Sequence, residues 1–155
     1  MKALPFRIPK SRSETIYLQV DDEIRFYDKL HQHDEFQLTL IDEGQGTLIH
    51  SANVSPFTPG DVFLIGGGVP HLFRSEDLKG VGKSRSRSIF FSWKSLATQL
   101  GKLSEYDFLN SSFEAGQRGG KAKGELKKTL SLDFDHIFAS QGLKRLHIFL
   151  SLLSG

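Results

Sequence analysis

Up to about Trp93 the chain is written in short apolar stretches separated by turn signals. Segments 15–20, 24–30, 35–41, 46–51, 62–66, 71–74 and 88–93 are rich in aliphatic, aromatic and β-branched residues and have the length of strands. Breaks fall at Asp21-Asp22, Glu43-Gly44-Gln45-Gly46, Pro59-Gly60-Asp61 and Gly66-Gly67-Gly68. They space the strands by roughly 8–12 residues, the rhythm of a sandwich or closed barrel. Pro59-Gly60 suits the centre of a type II turn, where proline presets one φ and glycine tolerates the positive one.

After Trp93 the period changes to that of helices. Segment 94–103 places Leu96, Leu100 and Leu103 on one side, and 106–120 is ambiguous, ending in a Gly-rich loop. From 125 to 140, Leu126, Leu130, Phe134, Ile137 and Phe138 recur at helical spacing. Gln141-Gly142 makes a tight turn, and 143–154 carries the stripe Leu143, Leu146, Phe149, Leu150 and Leu153, with Gly155 where a C-cap would stand. An αα-hairpin with this much apolar surface must pack partly on the barrel. The remainder is free for a partner helix, so those five residues are the candidate dimer seam.

Composition narrows the class. A chain of 155 residues suits one domain with a sizeable core. Thirteen phenylalanines, against one tryptophan and three tyrosines, lean towards strands around an aromatic interior. With no cysteine, disulfides, zinc ribbons and thiol catalysis are excluded. A formal charge of +2 is too weak to announce a nucleic-acid surface. No signal peptide or membrane span is legible, so a cytoplasmic protein is expected. The one basic run, 79–87 (Lys-Gly-Val-Gly-Lys-Ser-Arg-Ser-Arg), reads as a solvated loop between two strands.

Chemistry concentrates in His31-Gln32-His33. Alternate residues of a strand share a face, so both imidazoles project the same way, about 7 Å apart at Cα. Glu35, Gln37, Thr39 and Ile41 continue that parity, whereas Phe36, Leu38 and Leu40 hold the other. One face is wholly apolar; the other is mixed and able to line a cavity. His71 opens a later strand, just after Pro70. Arg74 reads as an exposed strand-end group, and His50, His136 and His147 as surface groups.

These residues carry a resemblance. His31-x-His33-x3-Gln37-x6-Gly44 resembles the first cupin motif, and Gly60-x5-Gly66-x-Gly68-x2-His71 resembles the second. Gln37 stands where the metal-binding Glu is usual, Gly66 replaces a Pro, and Ser75 sits where an Asn often follows. More specifically, Tyr27, then Leu30-His31-x-His33-x-Glu35-Phe36-Gln37-Leu38, Gly44-x-Gly46-Thr47, 59–66 and Val69-Pro70-His71-x-Phe73-Arg74 look like the sensor domains of AraC-type transcription regulators. Ile89-Phe90-Phe91 and Gly142-Leu143-x-Arg145-Leu146 continue the match over nearly the whole chain.

The resemblance implies a mainly β fold, a cupin-like double-stranded β-helix (jelly-roll barrel) over 1–93, followed by a helical segment, 94–155, in one structural domain. It implies a non-enzymatic module that binds a small effector, a sugar or another metabolite, and forms a homodimer through its last helices. Such regulators meet DNA through two helix-turn-helix motifs, expected here to lie outside this chain. Effector candidates are His31, His33, Gln37, His71, Phe73 and Tyr27. The set His31, His33, Gln37 and His71 could instead hold a divalent metal (zinc, nickel, iron or manganese), although an amide oxygen is a weaker donor than a carboxylate. No cofactor is expected otherwise. The competing classes are a small metal-dependent cupin enzyme of dioxygenase or isomerase type, and a vestigial barrel that only dimerises. Gln37 and the terminal hairpin argue against the enzyme.

Overall fold

The two parities of segment 35–41 become the two sides of a sheet. β4 (Phe36–Glu43) buries Phe36, Leu38 and Leu40 in one apolar cluster and Ile41 in another. The computed structural model describes residues 3–5, 15–26, 28–76 and 83–155. Within them, β2 (Ile16–Glu23), β4, β7 (Val62–Ile65), β9 (Ser84–Phe91) and the two-residue β10 (Gly120–Lys121) form one sheet, in the order β10-β7-β4-β9-β2. The other sheet runs β1-β3-β8-β5-β6, from β1 (Leu4–Pro5), β3 (His31–Gln32), β8 (His71–Ser75), β5 (Gly46–His50) and β6 (Asn53–Phe57).

Phe57, Leu48 and Phe73 of the second sheet pack with Ile41, Phe63 and Ile65 of the first, so the sheets share an interior. Phe57 meets Phe63 edge-on across that interior at 6.5 Å between centroids. This is the cupin-like fold the sequence implies, although the ladders form two sheets rather than a hydrogen-bonded ring.

Five helices follow: α1 (Trp93–Leu100), α2 (Phe108–Ser111), α3 (Phe113–Arg118), α4 (Glu125–Phe138) and α5 (Gly142–Ser154). Ser92 caps α1 by accepting from the Ser95 N–H. The helices cover the outer face of the first sheet, where Phe134, Ile137 and Phe149 bury fully against the cluster holding Phe91 and Ile89. Two ion-pair clasps tie α4 to the barrel. Arg87 of β9 grips Asp42 with Nε and Nη2, both at 3.0 Å, and reaches Asp135 of α4 at 2.8 Å. Asp61, beside the Pro59-Gly60 turn, takes Lys127 of α4 at 2.9 Å and Lys121 at 3.3 Å. Burial alone would raise the Asp61 carboxyl, but Lys127, the Thr58 N–H and Lys121 outweigh it and hold the group below its ordinary value.

Several expectations need correction. The described part of 24–30 contains no strand. Instead Phe26 turns inward, and its N–H goes to the Ser75 hydroxyl at 2.9 Å rather than to a ladder. The presumed loop at the end of 79–87 is the first half of β9; 77–82 lie outside the described residues. β6 was not foreseen, and 106–120 resolves into a 3₁₀ turn (Ser104–Tyr106), α2 and α3. His50 is half-buried rather than fully exposed, whereas Arg74 is exposed.

The proposed dimer stripe divides. Phe149 and Leu150 are buried within the chain, Leu146 and Leu153 are half-buried against the same core, and Leu143 is 81% exposed. A side chain enclosed by its own domain cannot also face a partner. Of the stripe, only Leu143 stands fully clear.

Candidate functional site

β9 alternates Ser84-Arg85-Ser86-Arg87-Ser88, a period of two that puts all three hydroxyls on the inner face. They are 3%, 5% and 1% exposed, while the arginines reach outward to Asp42, Asp22 and Asp135. Across the ladder, Gln19, Asp21 and Glu23 of β2 stand opposite Ser88, Ser86 and Ser84, and directly opposed residues share a face. Serines leave room where larger side chains would fill a barrel. The result is a cavity of about 560 Å³, lined by this ladder together with His31, His33, Gln37, Phe26, Phe73 and Phe90.

Its floor is a connected polar network. Gln37 donates through Nε2 to Thr39 Oγ1 at 2.7 Å and, more weakly, to Ser88 at 3.4 Å; Thr39 and Ser88 are 2.8 Å apart. His33 Nε2 lies 3.1 Å from Gln37 Oε1. Buried groups of this kind fix one arrangement when all are satisfied.

The histidines come together from two strands and the turn between β3 and β4. His31 and His71 are register partners of β3 and β8, with ring centroids 4.3 Å apart, and His33 is 5.1 Å from His71. Each ring donates Nδ1–H to a backbone carbonyl two residues away: His31 to Lys29 at 2.8 Å, His33 to Glu35 at 2.9 Å, His71 to Val69 at 2.8 Å. That fixes the tautomer and leaves the Nε2 side of a neutral ring as an acceptor. One nitrogen from each ring lies within 4.8 Å of the others. His71 is fully enclosed, and its Nε2 has no hydrogen-bond partner among the described residues. Burial pushes His71 down to about 3 and lowers His31 as well. Both therefore stay neutral at physiological pH.

Of the residues expected from sequence, His31, His33, Gln37 and Phe73 line the cavity, while His71 sits behind them. Tyr27 lies outside the described residues. Sequence reasoning read strands at 15–20 and 88–93 but missed the first half of β9 and the part the β2–β9 ladder plays in lining the cavity. The signal was the Ser-Arg alternation itself, a strand period written without apolar residues.

Residues 15–87 match the family model of the AraC-like ligand binding domain, and over that span the resemblance read from the sequence stands. The chain is similar in structure to ToxT from Vibrio cholerae, at 11% identity and a TM-score of 0.53, covering 88% of this chain and 53% of that one. It is also similar to the AraC-like transcriptional activator CuxR, at 16% identity and 0.49, covering 79% and 43%. A cupin 2 conserved barrel domain protein from Rhodopseudomonas palustris follows at 12% and 0.43, covering 64% and 74%. The chain thus spans about half the length of the first two. No curated protein matches it.

Proposed function

Starting from an AraC-like ligand-binding barrel over residues 15–87, we propose that this chain is the ligand-sensing module of an AraC-type transcription regulator. A small polar molecule enters the cavity beneath β2 and β9. The observation that carries this reading is the cavity itself. It has about 560 Å³ of space inside the barrel, within the range of small-molecule sites, with aromatic walls and a few convergent polar groups.

Sensing needs differential binding to two arrangements of the domain. β9 offers a short route for it. Ser86 and Ser88 face the cavity, while Arg87 between them holds Asp135 of α4. A ligand that shifts β9 therefore pulls on the helical layer. The exposed leucines of the hairpin, Leu126, Leu132 and Leu143, are what remains for a second copy. DNA contact is assigned to a segment other than this barrel.

A thermal-shift screen of the 155-residue chain against sugars and small metabolites tests the proposal. At least one compound is expected to raise Tm, since a ligand at a hundred times its Kd stabilises by about 2.7 kcal/mol. Gln37→Leu, which removes the central amide, should lose that response while keeping the fold. A library in which nothing stabilises the chain would refute the sensing role.

A second reading rests on the histidines. His33 Nε2 and Gln37 Oε1 stand 3.1 Å apart, and with Nδ1–H given to the Glu35 carbonyl a neutral His33 ring offers Nε2 only as an acceptor. A turned amide, a proton on Nε2 or a cation near both would each satisfy the pair. The donor set of three imidazoles fits zinc, nickel or iron. The 4.8 Å spread slightly exceeds the roughly 4.2 Å limit for two nitrogens on one zinc ion, so binding would draw the rings inward. Metal there would orient the ligand or polarise an oxygen of it. Zinc titration followed by calorimetry is expected to show one site, abolished in His33→Ala. Binding of equal strength in that variant would remove the reading.

A further inference from the structure

The ladder has an unbalanced charge. Asp21 and Glu23 both face the cavity, and no lysine or arginine nitrogen stands within salt-bridge distance of either among the described residues. The Gln19 amide donates to both oxygens of Asp21, at 3.0 and 2.9 Å. This holds the carboxylate in place without neutralising it. A carboxylate has about four acceptor positions, so about half of its capacity is still open.

Directly opposite in the ladder is Ser86. It is only 5% exposed and lines the cavity, yet its hydroxyl has no hydrogen bond among the described residues, whereas Ser84 and Ser88 are both engaged. A hydroxyl that opens into the cavity from an otherwise enclosed residue is placed to meet a ligand atom. Facing these polar groups are three phenylalanines, Phe26, Phe73 and Phe90. Phe26 and Phe73 lie 6.0 Å apart at 38°. Aromatic faces attract a desolvated cation through the ring quadrupole. The only cationic side chain along the described lining is Arg25, which is exposed at the rim.

Accepting the sensing role proposed above, we infer that the ligand is a small organic ammonium ion, its charged nitrogen held by Asp21 and Ser86 and its carbon skeleton against the phenylalanines. Glu23 strengthens the field nearer the mouth. A neutral polyol would satisfy Ser86 but leave the carboxylate uncompensated, and an anion would be repelled.

The test uses calorimetric titration of the 155-residue chain with four probes. They are choline, its neutral carbon isostere 3,3-dimethylbutan-1-ol, 3-aminopropan-1-ol, and 3-hydroxybutyrate as the anion. Both ammonium probes are expected to bind at least about tenfold more tightly than the isostere, about 1.4 kcal/mol of binding free energy, choline through the attraction of Asp21 and the rings for its charge and 3-aminopropan-1-ol through N–H donation as well. The anion should not bind. Asp21→Asn should erase the preference of choline over its isostere. Ser86→Ala, which retains both carboxylates, should weaken 3-aminopropan-1-ol while the preference persists; circular dichroism checks the fold of each variant. Equal or tighter binding of the isostere or the anion would overturn the ammonium assignment while leaving the cavity a ligand site. Absence of binding by both ammonium probes would overturn it too, and the metabolite screen would then decide the sensing role separately.

Discussion

Phe91→Ala is expected to lower stability by about 3–5 kcal/mol, the range for truncating a buried phenylalanine. Phe91 is fully enclosed, and it is where the barrel and the helical layer become one body. Its ring meets Phe149 of α5 at 4.9 Å, Phe36 of β4 at 5.6 Å and Trp93 at 6.0 Å. The cavity would open between two rigid layers, with little freedom to collapse. Losing that much from a domain whose net stability is typically 5–15 kcal/mol should shift the urea midpoint strongly. The slope of the transition should not change, because the exposed surface barely does. Retention of the midpoint within about 1 kcal/mol would show that the helices do not depend on this contact.

The second large effect is on pH dependence. His71 titrates near 6.5 when unfolded and at about 3 in the folded chain, chiefly because burial disfavours its charge, with the Val69 carbonyl opposing and the neighbouring histidines adding to the shift. Between those values the unfolded state binds the extra proton. Stability therefore falls as pH drops through that window and is fully present above 6.5. The slope from this group is about 1.4 kcal/mol per pH unit, accumulating towards roughly 5 kcal/mol. His31 and His50, also lowered by burial, act in the same direction. Urea unfolding of chelator-treated protein at pH 7.5, 6.5, 5.5 and 4.5 measures the slope. His71→Asn, which keeps a donor for the Val69 carbonyl, should remove about 1.4 kcal/mol per unit from it. An unchanged slope would mean that His71 is not the group resisting protonation.

Much of the barrel was legible because its strands obey alternation. Phe36, Leu38 and Leu40 opposed to Gln37, Thr39 and Ile41 gave β4 both of its faces, and the two histidine motifs placed the cluster. What escaped was written in polar residues or bent by tertiary contacts. Ser84–Arg87 has the period of a strand, but its buried face is hydroxyl and its outer face is salt-bridged, so hydropathy said loop. In 24–30 the apolar residues suggested a strand, yet Phe26 is worth more inside the barrel than a ladder bond is at the surface. Phe149 and Leu150 looked like seam residues because a helical stripe does not say which of two apolar neighbours will claim it. The sheet claimed them, and with them most of the surface assigned to a partner. Asp21 reads from the sequence only as part of a turn and Glu23 carries no reading there; the β2–β9 register puts both on the cavity side.

The central claim is that the barrel interior is where a small molecule is read. Nitrogen-15 NMR of the labelled chain, titrated with the best stabiliser from the metabolite screen, tests it most directly. A second opening of about 540 Å³ near Gln141, Leu143 and Leu146 provides the internal alternative. The account predicts saturable shifts concentrated at Gln37, Ser84, Ser86 and Ser88, with smaller ones following Arg87 to Asp135. Shifts confined to the 141–146 region, with the β9 serines unmoved, would contradict it.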